Sequence, residues 1–241
     1  GTLRVGNLTP IEANADEDGN TITATGGTIG EITFGSYRTS AKIELGVGLD
    51  YESIAEFKNA VVEELALSLA LKLESQIMAS TVVANQAESM FAKDYGTNQK
   101  MEVKESEFSH KTLAALKGKI LRAYGKRASY VINTETFHDK IEGMVGSDGH
   151  PIYNDAEEKL LKKPVIISDA APKDKILFGY GKRYWYNYNM APQIASSDQE
   201  KFSDGIIVHR ALAFGDGKVM DKKAFAVLTI VDDTEETEIQ G

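Results

Sequence analysis

The chain has 241 residues, enough for one large domain or two modest ones with a substantial core. Hydrophobic residues make up 42% and charged residues 26%, which excludes disorder as the main state, and no stretch reaches the roughly 20 apolar residues that a membrane-spanning helix needs. A formal charge of -9 disfavours a general grip on nucleic-acid phosphates, and the lack of cysteine excludes disulfides, Cys-ligated zinc, iron–sulfur clusters and thiol nucleophiles.

The chain opens at Gly1 without an initiator Met, a basic stretch or an apolar run, so no secretory signal is expected within it. Residues 1–30 hold Gly6, Pro10, Gly19, Gly26, Gly27 and Gly30 among many Thr, Asn and Asp. Such a composition cannot build its own core and predicts an extended arm. From Glu31 to Leu49, Ile32, Phe34, Ser36 and Arg38, then Ala41, Ile43, Leu45, Val47 and Leu49, alternate with polar residues. That period of two predicts one long ribbon strand, with Gly35 as a kink or bulge.

At Asp50 the period changes. Ile54, Phe57, Val61, Leu65, Leu69, Leu73 and Ile77 recur every three or four residues and share one helical face. Ser53 and Glu56 form a capping-box pattern at its start. Running to about Ser80, the helix would be roughly 42 Å long at 1.5 Å per residue. Its spacing drifts toward four instead of holding a heptad, so it is expected to lie across a sheet and not in a coiled coil.

Residues 81–108 are mixed and polar and predict only short extended pieces. Ser109 can cap a second helix carrying Leu113, Leu116, Ile120 and Leu121 and ending near Gly125. A β run from Ser129 to Ile132 follows, then a third helix from Thr134 with Phe137, Ile141 and Met144 on one side. The charged segment from Gly146 to Lys163 reads as a long excursion, either a functional loop or a mobile one. Four β runs come next: Val165–Ser168, Ile176–Gly179, Tyr184–Tyr188 and Ile206–Ala213. Gly215, Asp216 and Gly217 read as a turn into a last strand, Ala224–Val231. Residues 232–241 hold five acids and no base, about half of the net acidity, and read as a solvated tail.

Chemistry is hard to find in this pattern. Gly46 and Gly48 stand between strand and helix, where a phosphate-binding loop belongs, but Tyr51 takes the place of the third glycine and no acid ends a second strand. His110, His138, His150 and His209 are isolated, with no two-histidine spacing suited to zinc. No nucleophile elbow is present. Glu63–Glu64 and Glu157–Glu158 point apart on a helix and read as solvated charges. Lys117, Lys119, Arg122, Lys126 and Arg127 form a basic patch: a nucleic-acid site, a solvated face or a subunit contact to an acidic partner. The aromatic run Tyr184, Trp185, Tyr186, Tyr188 suits a strand covered on both faces, or a subunit interface. No catalytic residue, metal ligand or cofactor site is proposed.

Several linked stretches then share an order and spacing. They are Phe34-Gly-Ser-Tyr-Arg-Thr-Ser-Ala-Lys-Ile-Glu-Leu-Gly-Val-Gly-Leu-Asp-Tyr-Glu-Ser53, Ala60-Val-Val-Glu-Glu-Leu-Ala-Leu-Ser-Leu-Ala70 and Ser129-Tyr-Val-Ile-Asn133. Asp148-Gly-His-Pro-Ile152, Pro164-Val-Ile-Ile-Ser-Asp169 and Gly217-Lys-Val-Met-Asp-Lys-Lys-Ala-Phe-Ala-Val-Leu228 continue the series. Together, over roughly Glu31 to Ile230, the chain resembles the major capsid proteins of tailed bacteriophages and prophages, with the Hong Kong ninety-seven fold. In many relatives a Gly precedes the Pro-Val pair, where this chain has Lys163.

The resemblance implies an α+β fold: an N-terminal arm remnant over 1–20, an extended loop over 21–48, and a peripheral domain from 49–111 and 205–231. An axial domain over 112–204 and the acidic tail over 232–241 complete it. It implies a self-assembling structural subunit, not an enzyme, forming hexamers and pentamers in an icosahedral shell that encloses double-stranded DNA without reading its sequence. Scaffolding, protease, portal and decoration proteins are the partners it implies, in the host cytoplasm during assembly and in the virion afterwards; no membrane is involved. Phe34, Tyr37, Arg38 and Lys42 on the ribbon, and Asp148, His150 and Tyr153 in the excursion, are its expected subunit-interface residues. Some relatives lock their shells with a Lys–Asn isopeptide bond. Lys42 could serve as the lysine, but no Asn occurs from Met190 to Gly241, so no self-crosslinking is expected.

The residues agree with a shell. An alternating segment with no partner in its own chain demands one from a neighbour, and heterologous contacts repeated around symmetry axes close an assembly. An encapsulin-type compartment of the same fold, or a soluble α+β enzyme or ligand-binding domain using a pocket near the aromatic strand, are the alternatives.

Overall fold

Helix α1, Ala55–Ile77, is where the period of three to four residues places it. Val61, Leu65, Leu69 and Leu73 are buried at a spacing of four, and the first three pack on Ala211 and Ala213 and on Ala41, Ile43 and Leu45. These are inward-facing residues of strands β3, Tyr37–Gly46, and β11, Ile206–Val219. The helix therefore lies across a sheet, as its drift from heptad spacing implies. It ends at Ile77, short of Ser80: the Met90 N–H, instead of a helical one, donates to the Ile77 carbonyl at 2.8 Å and turns the chain away. A computed structural model describes residues 3–8, 29–46 and 55–233. The Ser53 cap, most of the Gly-rich arm, Gly48 and the acidic tail beyond Asp233 fall outside them.

The sheet beneath α1 has the order β10–β11–β3, all antiparallel, with β10 spanning Tyr184–Lys201. A second, two-stranded sheet joins β1, Leu3–Leu8, to β2, Ile29–Phe34, with Leu3 opposite Phe34 and Leu8 opposite Ile29. The third sheet has seven strands in the order β4–β12–β9–β5–β8–β7–β6. These are β4 Lys100–Lys104, β5 Ser129–Ile132, β6 Tyr153–Asn154, β7 Lys159–Leu160, β8 Lys163–Ile167, β9 Lys175–Gly179 and β12 Phe225–Val231.

Helices α2, His110–Gly118, α3, Arg122–Gly125, and α4, Thr134–Lys140, accompany this larger sheet. Leu113, Leu116, Tyr130, Ile132, Phe137, Ile141, Phe178 and Leu228 form its core. Ser109 caps α2 through a reciprocal box with Thr112, and Asn133 caps α4 by accepting the Glu135 N–H at 2.9 Å.

Several expectations need correction. The ribbon is two strands, broken at Gly35–Ser36, and the break changes partners: β2 pairs with β1 and β3 with β11. The leading segment is thus not without a partner in its own chain. Its alternation marks one apolar face, which α1 covers, and says nothing about whose strand lies alongside.

Gly215, Asp216 and Gly217 are not a turn but part of β11. Tyr186 and Tyr184 lie across these glycines, where an added Cβ would collide with their rings. The excursion from Gly146 to Lys163 is a series of turns that also carries β6, β7 and the start of β8. The second helix is two, because Leu121 is extended, with ψ 136°. β10 runs thirteen residues beyond Tyr188 through Asn189, Pro192 and two serines, residues of low strand preference, with three register shifts that accommodate them.

Candidate assembly surfaces

The corner between β2 and β3 joins the two-stranded ribbon to the body. Asp216, fully buried in β11, accepts the Gly35 N–H at 2.8 Å, and the Asn189 amide of β10 donates to the Gly35 carbonyl at 3.3 Å. Tyr37 covers Gly35 so closely that a Cβ there would meet its ring at 2.9 Å. Phe34, 1% exposed, plugs the same corner from the ribbon side. Sequence reasoning reads Phe34 as an interface residue; within its own chain it is buried. Asp216 is the residue it misses, since the two flanking glycines disguise a strand as a turn.

Arg38 is exposed on β3, next to half-buried Tyr37. Lys42 projects from the same strand to Glu200 of β10 at 2.8 Å and to Glu44 at 3.1 Å, and Lys201 completes the group on Glu44. The pairs reach over β11 and tie the two edges of the sheet together. Hydrogen bonding from Glu200 first and Glu44 second raises the Lys42 pKa, and the two lysines lower that of Glu44.

Asp148, His150 and Tyr153 lie elsewhere, at the β6 end of the large sheet. Asp148 accepts the His150 N–H at 3.2 Å inside an exposed turn. Tyr153 packs edge-on against Phe137 at 4.7 Å. With His110, Glu157, Lys159 and Lys162 the turn walls an open cleft of about 720 Å³. The expected interface residues thus form two groups on separate sheets. Among the described residues no group of His, Asp and Glu is arranged to hold a metal ion, and no helix is long and apolar enough to cross a membrane.

The aromatic run is not covered on both faces. Tyr184 and Tyr186 are half-buried over the β11 glycines, and Trp185 and Tyr188 are exposed. α1 keeps an exposed apolar side as well, at Val62, Leu67 and Leu71. Phe202, in the turn that closes the β10–β11 hairpin, is 81% exposed. Exposed apolar residues on rigid elements, far from any enclosed reactive cleft, suit contact between molecules more than chemistry.

Comparison with known proteins agrees. No relative was found among curated proteins. Among solved structures, the capsid of an empty GTA particle matches with a TM-score of 0.74 and 16% identity, over 95% of this chain and 84% of that one. Mycobacterium phage Bobi matches at 0.67 and 12%, over 96% and 85%. The satellite phage P4 procapsid, a structure that includes a size determination protein, matches at 0.64 and 9%, over 95% and 90%. At these identities the likeness establishes the fold. The model of the phage capsid family matches residues 4–230, nearly the whole chain, so the protein belongs to the phage capsid family and is a structural subunit, not an enzyme.

Proposed function

We propose that this chain builds a closed icosahedral shell from hexamers and pentamers of itself and that the shell encloses double-stranded DNA. The observation that carries the reading is the β1–β2 ribbon. Two strands alone are marginal in water, and among the described residues this sheet has no third strand. Among the described residues its anchor is the Gly35 corner, which supports a neighbouring copy as the cover of its faces. Residues 1–20 then hold the arm, 21–48 the extended loop, 49–111 with 205–231 the peripheral domain, and 112–204 the axial domain.

Arg38, Tyr37 and Lys42 would meet a neighbour beside the ribbon, and Asp148, His150 and Tyr153 would meet one at the far end of the large sheet. Scaffolding, portal, protease and decoration proteins are the further partners, and assembly takes place in the host cytoplasm. A net charge of -9 supports a container whose wall does not trap its DNA. Sedimentation and electron microscopy of the purified chain test the reading. Shells of megadalton mass are expected; a monomer at every concentration and salt would refute it.

A further inference from the structure

Along β5 and its parallel neighbour β8 the surface charge changes sign. At the N-terminal end of these strands, Arg122, Lys126 and Arg127 line an open concavity of about 500 Å³. The Lys163 ammonium donates to the Gly125 and Lys126 carbonyls, at 2.5 and 3.1 Å, and fixes the start of β8 beside them. Lys117 reaches the Leu161 carbonyl at 3.5 Å, and burial, then the Lys163 and Lys162 charges, push its pKa down. Cations crowd here without anions: among the described residues, none of Lys117, Arg122, Lys126, Arg127 and Lys162 belongs to an ion pair. Asp221, the carboxylate beside α3, is engaged by the Tyr124 hydroxyl at 2.7 Å and the Lys223 N–H at 2.9 Å.

The C-terminal end carries the opposite charge. α4 presents Asp139, with Glu142 just beyond it, and the turn from β6 to β7 presents Asp155, Glu157 and Glu158, all exposed. The Phe137–Tyr153 contact draws the two segments together. Burial, then Asp155, Glu158 and Glu142 in that order, raise the pKa of the Tyr153 phenol between them. His138 bonds Glu142 at 2.7 Å and Lys159 bonds Glu157 at 2.8 Å, while among the described residues Asp139, Asp155 and Glu158 belong to no ion pair.

Backbone strain marks both ends. Leu161 and Lys162, the two-residue link from β7 to β8, have φ of 49° and 65°, and Glu158 at the other end of β7 has φ of 48°. A hairpin link with two positive φ values ordinarily takes Asn-Gly, and ordinary side chains hold this conformation only at a cost that is characteristic of functional sites. The strained turns flank the two-residue β7, with Glu158 on one side and Lys162 on the other.

We propose that copies of this chain join head to tail through this unit, with Arg122, Lys126 and Arg127 of one copy seated against Glu142, Asp155 and Glu158 of the next. Like ends repel and unlike ends attract, so the contact is heterologous and, repeated by rotation, closes a ring. The proposal rests on the shell reading above and specifies which charges hold neighbouring subunits within one ring.

The test uses the full chain and four proteins, compared by sedimentation in low salt: wild type, Arg122→Glu/Arg127→Glu, Glu142→Lys/Glu158→Lys, and the variant carrying all four changes. The wild type is expected to give rings or shells, and each double variant alone at least about tenfold fewer, because two like ends now meet. The four-fold variant, with its ends exchanged, is expected to recover assembly, and an equal mixture of the two double variants is expected to recover even-membered rings, in which the two kinds alternate, but not five-membered ones. Recovery also shows that the losses are not misfolding. Double variants that assemble as the wild type does, or losses that neither exchange nor mixing repairs, overturn the contact and leave the shell reading standing. A wild type that never assembles overturns both.

Discussion

Gly217 shows how one position can hold a strand in place. The Tyr184 ring crosses β11 directly over it, and the Tyr184 hydroxyl donates to the Glu88 carbonyl at 2.8 Å, which pins the 78–95 segment to the same spot. Gly217→Ala would force the tyrosine out of that bond. Overpacking of this kind costs about 1–3 kcal/mol, and thermal unfolding should register it as a fall of about 2–4 °C per kcal/mol. The tyrosines also make the fold sensitive to alkali. Burial first, then Tyr188 and Asp216, push the Tyr186 pKa up to about 12, and Tyr130 and Tyr184 are raised further, chiefly by burial. Ionising Tyr186 costs more in the folded chain than in the unfolded one, whose phenol titrates near 10. The stability it contributes is intact below about pH 10, falls as the pH rises and is lost above about 12. Melting curves of the wild type should therefore drop across that window, and those of Tyr186→Phe should drop less; equal drops in the two proteins would contradict this account.

At the scale of the element, α1 offers a comparison of like residues in unlike places. Leu65 and Leu69 are buried on β3 and β11, whereas Leu67 and Leu71 on the same helix are 52% and 54% exposed. Leu65→Ala or Leu69→Ala should cost about 2–5 kcal/mol, and Leu67→Ala or Leu71→Ala at most about 0.5 kcal/mol, as measured by denaturant unfolding of the unassembled chain. Equal costs would mean that α1 does not lie on this sheet. The buried face of α1, the Ser109 cap and the β run Ser129–Ile132 were legible because each is written in neighbouring residues. β10 was legible only to Tyr188, since beyond it Asn189, Pro192 and the serines borrow their strand conformation from β11. The Gly215–Gly217 segment was misread for the converse reason: its glycines answer to Tyr184 and Tyr186, which lie about 30 positions earlier in the chain.

For the whole molecule, what joins the sheets decides how a neighbour can be held. α1 touches both large sheets: Gln76 donates to the Thr39 hydroxyl of β3 at 3.3 Å, and Glu74 accepts from Ser168, just past β8, at 2.6 Å. The body is therefore braced internally, while the ribbon hangs from the Gly35 corner. None of this pairing was legible, because period two marks a face and never names the adjacent strand; Gly35 and Asp216 acquire their roles from a contact 181 positions apart in sequence. The same bracing bears on covalent locking. Lys42 is engaged by Glu200 and Glu44 across the sheet, and no Asn lies between Met190 and Gly241 to receive it. Shells of this protein should therefore rest on non-covalent contacts alone. Boiled in denaturant and run on a gel, assembled particles should give a single 26.3 kDa band, and Lys42→Arg, which keeps the charge and removes the amine, should leave both assembly and that band unchanged. A ladder of covalent oligomers that disappears in Lys42→Arg would mean that Lys42 escapes its two glutamates in the shell and finds an acceptor on another copy.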